Sequence, residues 1–456
     1  MRQKKMSHST RREFLKTTGR VAAATALAGT AVPHVHAAEN NTICVALIGC
    51  GGRGTGAAAN ALNVKQGPVK LVAMADAFED RLDRSYKSLK QQLGDRVEVP
   101  EDRRFAGFDA YQKAMDCLKP GDVAAFATPL AFRWVHFAYA IKKGLNVFME
   151  KPLTADGPTS RRMLQLAEES EKKGLKVGVG LNSHHARNLQ QAAQRIHDGD
   201  IGDIVLMRGY RMQSSGAGCP PKPAAMSEVE FQIRRFHGFL WASGGIYSDF
   251  NIHIIDHCCW MKNAWPVSAL GVGGRHYRRN YVDQNFDSYA VEYTFADGAK
   301  LIMDGRSMPG TESKYHSCAQ GTKGYAVLSK SGDCGAQSST YQGQLPEPAK
   351  MIWESRIERG DQNSHQNEWD DLIDAIRGNK LFNEAKNGIN ASLVTSMGRM
   401  AAHVGRAVTF DEMLNSDHEY APNIDKLTLD GPAPLVPDAK GMYPVPQPGM
   451  VAKREY

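Results

Sequence analysis

Ile43-Cys44-Val45-Ala46-Leu47-Ile48-Gly49-Cys50-Gly51-Gly52-Arg53-Gly54 is the stretch that decides the fold: six apolar residues run directly into a glycine cluster, and an Ala-rich helix begins near Thr55. A buried parallel strand that breaks at glycines and restarts as a helix is the local signature of a dinucleotide-binding βαβ unit. Gly49 allows the tight turn, Gly51 lets backbone approach a pyrophosphate, and Gly54 lets the helix pack against the sheet. A glycine pattern alone is weak in a chain with 43 glycines, so its context matters. A second apolar run, Val69 to Ala75, ends at Asp76. An acidic residue about 20 positions after the glycines accepts hydrogen bonds from ribose hydroxyls and repels a 2′-phosphate, which favours NAD over NADP.

The same βαβ rhythm continues to about Pro152, through helical stretches at Glu79 to Leu93 and Trp134 to Lys143. Two further strand ends carry chemistry. Asp122 to Ala127 leads to Thr128-Pro129 and His136, and Asn146 to Met149 leads to Glu150-Lys151-Pro152. In open parallel sheets, ligands bind at the carboxyl ends of strands, so Lys151 is expected at the nicotinamide end of the cofactor. The expected cofactor contacts are Gly49, Gly51, Gly52, Arg53, Gly54, Asp76, Thr128, Pro129, His136, Glu150 and Lys151.

Beyond Lys151 the pattern changes. Helices are expected at about Pro158 to Lys173 and Arg187 to His197, around a strand at Lys176 to Gly180. β character then rises, with strands near Ile204 to Met212, Tyr289 to Phe295, Lys300 to Arg306 and Tyr325 to Ser329, and a hairpin turn at Ala296-Asp297-Gly298. The segment Gly244-Gly245 to Trp260 puts Asp249, His253, Asp256 and Trp260 on one helical face, a line of proton-handling groups ending at an aromatic. A hydrogen-bonded structural network would give the same pattern. Late helices are expected at Asn367 to Ile376 and Ala385 to His403, and seven prolines after Asn415 describe an extended tail that either wraps a protein body or hangs loose.

The opening residues read differently. Ser9-Thr10-Arg11-Arg12-Glu13-Phe14-Leu15-Lys16, a short apolar stretch and Val35-His36-Ala37 resemble a twin-arginine export signal, too weakly apolar to span a bilayer. The chain carries +7, but 1–37 holds seven Lys/Arg against one Glu, so removal leaves about +1. A nearly neutral mature chain without a basic stripe lacks the footprint of a nucleic-acid binder. The expectation is a protein that is periplasmic or otherwise exported by the twin-arginine route, without a stable membrane anchor. The eight cysteines form no CxxC pair; most read as buried small hydrophobes, with disulfides among Cys219, Cys318 and Cys334 open after export.

Gly49-x-Gly51-x-x-Gly54, Asp76, Thr128-Pro129, Glu150-Lys151-Pro152 and Asp249-x-x-x-His253-x-x-Asp256, in this order, resemble the glucose-fructose oxidoreductase/inositol dehydrogenase (Gfo/Idh/MocA) superfamily over about 41–410. The resemblance implies an α/β protein with an N-terminal Rossmann doubly wound parallel sheet and a C-terminal α/β domain with a large, mostly antiparallel open sheet that often builds oligomer contacts. The expected organisation is an export signal at 1–37, an NAD-binding domain at 40–152, a substrate and oligomerisation domain at 153–364, returning helices at 365–410 and a tail at 411–456. The resemblance further implies hydride exchange with a sugar or cyclic polyol, with Lys151 on the substrate hydroxyl, His253 as general base and Asp249 assisting it. His184, His185, Arg187 and Asp256 are secondary candidates for substrate contact.

Because no free NAD pool is expected outside the inner membrane, the cofactor would be tightly held and recycled internally. A related outcome of the same residues is an NAD-using glycoside hydrolase, in which oxidation and re-reduction flank loss of a leaving group. A reading from another class, a metal-dependent hydrolase, would gather His184, His185, Asp249 and His253 around an ion and leave the glycine loop structural; the preferred assignment has no metal.

Overall fold

The computed structural model describes residues 41–216, 218–276, 280–332, 337–358, 363–451 and 453–456. The expected export signal at 1–37 and Cys334 lie outside the described residues.

Two sheets organise the described chain. The first has six parallel strands, β1 (Ile43–Ile48), β2 (Val69–Asp76), β3 (Arg104–Ala106), β4 (Val123–Phe126), β5 (Asn146–Met149) and β6 (Val177–Val179), in the order β3-β2-β1-β4-β5-β6. Parallel strands buried on both faces read as continuous apolar runs, which is why β1, β2, β4 and β5 were legible from their composition. The chain order reverses between β1 and β4, and the crevice at that reversal is where an open α/β sheet binds its ligand. The sheet extends past Pro152: β6 pairs with β5, so the strand at 177–179 belongs with the first sheet.

The second sheet has nine strands: β7 (Ile204–Gln213), β8 (Ser268–Gly274), β9 (Ser288–Thr294), β10 (Lys300–Ser307), β11 (Lys314–Gly321), β12 (Gly324–Ser329), β13 (Ser339–Gln342), β14 (Met351–Glu354) and β15 (Val408–Thr409). Their order is β14-β13-β12-β11-β7-β10-β9-β8-β15, and only the β7–β10 pair is parallel. The β9–β10 hairpin closes through Phe295 N–H donating to the Ala299 carbonyl at 2.9 Å, at the expected Ala296-Asp297-Gly298 turn.

One face of this sheet is covered by the helix Gly245–Lys262, which is buried almost all round. It lies close because the strands beneath it are small: a Cβ at Gly209 would sit 2.6 Å from Ile254, and one at Gly305 would sit 2.3 Å from Asn251. The helix Ala385–Val404 packs beside it, where a Cβ at Gly271 would lie 3.2 Å from Ala402. Helix Ser364–Arg377 returns to the first sheet and buries Trp369 against Phe148, ring centroids 4.5 Å apart. Burying a side chain of this size stabilises the fold by about 3 kcal/mol.

The Pro-rich tail wraps its own body. Tyr420, Leu435 and Tyr443 join an apolar cluster with Phe132, Phe231 and Trp241. Glu455 is buried against Arg399 (Nε–Oε1 2.9 Å) and His403 (Nδ1–Oε1 2.7 Å). Proline-fixed extended segments reach this far without regular secondary structure because side chains, not a backbone ladder, anchor them.

Candidate active site

The glycine loop follows β1 at the sheet reversal. Gly49 has φ +97°, and a Cβ there would strike the Ala127 backbone at 2.7 Å, so the turn can be made only by glycine. Gly54 would place a Cβ 1.9 Å from the Gly49 carbonyl oxygen; its absence lets the helix Gly52–Leu62 seat on the loop. At Gly51 and Gly52 a Cβ would meet nothing within 4 Å. These two positions face open space beside a helix N-terminus, the arrangement in which backbone approaches a pyrophosphate. The three glycine roles expected from spacing are therefore separable by what each absent Cβ would touch.

Asp76 ends β2 and accepts hydrogen bonds from Cys50 N–H at 2.6 Å and Phe78 N–H at 3.0 Å. Burial pushes its carboxyl up while these two backbone donors favour the anion. With the glycine loop it lines a cleft that also takes in Thr128, Pro129 and His136. Thr128 Oγ1 lies 3.3 Å from His136 Nδ1, and burial drives that imidazole down to about 3, so His136 is a neutral hydrogen-bonding partner in the wall. Arg133, not anticipated from the sequence, fixes this corner by donating to the carbonyls of Phe126 and Thr128, each at 3.0 Å.

A second cavity shares Gly52, Arg53, Thr128 and Pro129 with the first and continues to Glu150, Lys151, Asp249 and His253. Arg53 stands at the junction, paired with Glu150 and with Glu368 (Nη2–Oε1 2.8 Å) from the returning helix. Burial raises the Glu368 carboxyl to about 7.

Lys151 Nζ donates to the Asp249 carbonyl at 2.6 Å and lies 3.1 Å from Asp249 Oδ1. The other carboxylate oxygen of Asp249 is 2.5 Å from His237 Nδ1. Burial alone would raise the Asp249 carboxyl, but Lys151 and His237 together hold it well below the usual carboxylate range. His253, one helical turn on, lines the same cavity. Asp249 thus has Lys151 and His237 as partners, alongside the assisting role toward His253 that the resemblance implies. His237 escaped sequence reading because it sits in a short turn, Phe236–Gly238, and its ring is brought onto Phe250, centroids 5.4 Å apart, only by folding.

The polar line along the Gly245–Lys262 helix divides. Asp249 and His253 face the cavity, while Asp256 Oδ2 takes His184 Nε2 at 2.8 Å and Trp260 stacks on the His184 ring at 4.3 Å. Burial would lower the His184 pKa, yet Asp256 turns the shift upward. His185 Nδ1 lies 2.7 Å from Asp371 and its Nε2 3.0 Å from Glu384, which raise it to about 10 against the opposing effect of burial. Arg187 forms a two-pronged pair with Asp371, at 2.7 and 2.9 Å. The secondary substrate candidates His184, His185, Arg187 and Asp256 are accordingly joined in ion pairs that tie the first sheet to the later helices, and none lines the cavity.

The metal arrangement of His184, His185, Asp249 and His253 is not assembled, since the first three hold separate partners. Among the described residues no three His, Cys, Asp or Glu side chains gather around an ion position. Cys219 and Cys318 are free thiols, so no disulfide joins them. No described helix is long and apolar enough to cross a membrane.

A six-stranded doubly wound sheet with a glycine cradle at its reversal, opening into a Lys-Asp-His cavity, defines the class of the NAD(P)-dependent oxidoreductases. No family model matches the chain. It is similar to inositol 2-dehydrogenase of Rhizobium meliloti, 23% identical over 326 residues that cover 71% of this chain and 86% of that one. It is also similar to scyllo-inositol 2-dehydrogenase (NAD(+)) of Bacillus subtilis, 26% identical over 52% of this chain and 58% of that one. Among solved structures, aldose-aldose oxidoreductase from Caulobacter crescentus superposes with a TM-score of 0.62 at 17% identity, covering 81% of this chain and all of that one; this likeness is one of fold. These relatives support the superfamily resemblance.

Proposed function

We propose that this chain is an exported NAD-dependent oxidoreductase that acts on a sugar or cyclic polyol by hydride transfer and keeps its cofactor through successive turnovers. The observation that carries the reading is the continuity of the glycine-lined cleft with the cavity holding Lys151, Asp249 and His253. The inositol dehydrogenases among the relatives support a polyol or sugar as substrate class. The acidic residue Asp76 at the end of β2 supports NAD over NADP.

Gly51, Gly52 and the first turn of the Gly52–Leu62 helix would hold the pyrophosphate, with Asp76 on the ribose and Thr128, Pro129 and His136 along the wall. When bound, the nicotinamide supplies a hydride acceptor and donor. His253 takes the hydroxyl proton as the carbon is oxidised, and Lys151 stabilises the negative charge that develops on that oxygen. Asp249 keeps the Lys151 ammonium aimed into the cavity and, through its second oxygen, positions His237 at the rim. Polar groups converging from the strand ends of the first sheet and from the Gly245–Lys262 helix can recognise a polyhydroxylated ring, while Phe236 and Phe250 offer it apolar faces.

Mass spectrometry of the natively purified protein should find NAD in about one copy per chain, and a sugar and polyol panel should show turnover without added cofactor. Net oxidation or reduction supports the dehydrogenase; release of an aglycone without net redox change points to the glycoside hydrolase outcome. Absence of any dinucleotide together with a stoichiometric metal refutes both. Export by the 1–37 signal is checked by fractionating cells that express the chain with Arg11 and Arg12 replaced by Lys. Self-association through the outer face of the second sheet, where Leu270 and Val272 stand exposed, is checked by light scattering.

A further inference from the structure

One wall of the dinucleotide cleft comes from far along the chain. Ile233 and Phe236 line it together with Arg81, Gly51 and Asp76. The first belongs to the helix Glu228–Arg234 and the second follows it. This helix is fastened on two sides by unrelated contacts.

Toward the first sheet, Arg234 reaches both oxygens of Asp80, at 2.7 and 3.2 Å, and its guanidinium sits 4.0 Å from the Phe78 ring centroid. Phe78 donates its N–H to Asp76, so the fastening lies two residues from the carboxylate assigned to the adenosine ribose. On the other side the tail grips the same helix. Tyr443 donates its hydroxyl to Glu228 Oε2 at 2.6 Å, and the buried Gln232 donates its amide to the Leu435 carbonyl at 2.8 Å.

We propose that the Glu228–Phe236 segment is a bolt across the adenosine end of the cleft, fixed in front by Arg234–Asp80 and behind by the C-terminal tail, and that it makes release of a bound dinucleotide slow. This inference rests on the dinucleotide reading above. A ligand under such a segment leaves only when the helix parts from Asp80 and Phe78 while the tail still restrains it, so exit waits on breaking contacts the ligand does not itself make. The device would let an oxidoreductase without a cofactor pool keep its dinucleotide, and it assigns the long proline-rich tail a purpose.

The test uses the full chain loaded with radiolabelled NAD⁺ and chased with excess unlabelled NAD⁺, the retained label being read after rapid gel filtration. Asp80→Asn and Arg234→Gln should each speed release about fivefold, the scale a partly exposed two-pronged pair supports, and the double variant should release no faster than either alone. Tyr443→Phe, which loses one hydroxyl behind the helix, should speed release through the other fastening. Release within twofold of the unchanged protein in all three variants overturns the bolt and leaves the dinucleotide reading intact. If the unchanged chain takes up no labelled NAD⁺, that reading falls and the bolt falls with it.

Discussion

Replacing Gly51 and Gly54 by alanine, one at a time, separates the part of the glycine loop that builds the fold from the part that meets ligand. At Gly54 the new Cβ would lie 1.9 Å from the Gly49 carbonyl oxygen, so the Gly52–Leu62 helix must retreat by more than 1 Å from the loop to relieve the overlap. Overpacking of this kind costs about 1–3 kcal/mol, and the carbonyl cannot move aside because Gly49 is itself wedged against Ala127. Gly51 has extended backbone (φ −70°, ψ −179°), and its Cβ would meet nothing within 4 Å, so Gly51→Ala should change stability by no more than about 0.5 kcal/mol. The same methyl would stand where backbone must approach a pyrophosphate, and dinucleotide affinity should fall by a factor on the order of 100, about 2.7 kcal/mol. Urea unfolding gives the stabilities, and calorimetric titration of cofactor-stripped protein with NAD⁺ gives the affinities. If Gly51→Ala binds NAD⁺ as tightly as the unchanged chain, the assignment of this cradle to the pyrophosphate is refuted; if Gly54→Ala is as stable as Gly51→Ala, the steric account of the loop is refuted.

Other outcomes follow from the same geometry. Lys151→Met removes the charge at similar length and should leave NAD⁺ binding within about threefold while lowering turnover by about 10²-fold or more, as single-turnover kinetics would reveal. Asp76→Ala should weaken NAD⁺ and narrow its advantage over NADP⁺, read from paired titrations; an unchanged preference would exclude Asp76 from the adenosine pocket. Glu455→Gln leaves Arg399, fully buried, facing a neutral amide, and loss of one member of a buried pair costs about 3–5 kcal/mol, measurable as a lower urea midpoint. His185 is raised to about 10 by Asp371 and Glu384, so its contribution is complete below the unfolded value near 6.5 and fades as pH climbs through about 10. The melting-temperature gap between the unchanged protein and His185→Gln should therefore be widest at pH 6 and shrink steadily toward pH 10.

The parallel sheet was legible because strands buried on both faces carry their identity in short apolar runs, and because a turn no other residue can make marks its glycine by position. Helices such as Glu79–Leu93 and Arg187–His197 coincide with their sequence-derived limits because a one-sided apolar period is a local property. The polar line Asp249, His253, Asp256 and Trp260 was half legible: its helical spacing is real, but the helix is buried on nearly every side, so neighbouring positions meet different partners.

The family resemblance implied that Lys151, Asp249 and His253 share one site; what the chain's order of residues settled by itself was the parallel layer with its glycine turn, the alternation that builds the second sheet, and the placing of Asp249 and His253 one helical turn apart. Local spacing suffices for these because each depends on a strand end, a glycine or one helical turn. Only the tertiary structure decided that His237 shares Asp249 with Lys151, that His184, His185 and Arg187 are spent on ion pairs, and that the tail returns to bury Glu455 and back the Glu228–Arg234 helix. Those pairings join residues up to more than 200 positions apart, and a carboxylate's choice among cations depends on which of them folding desolvates beside it, a fact no single stretch of sequence contains.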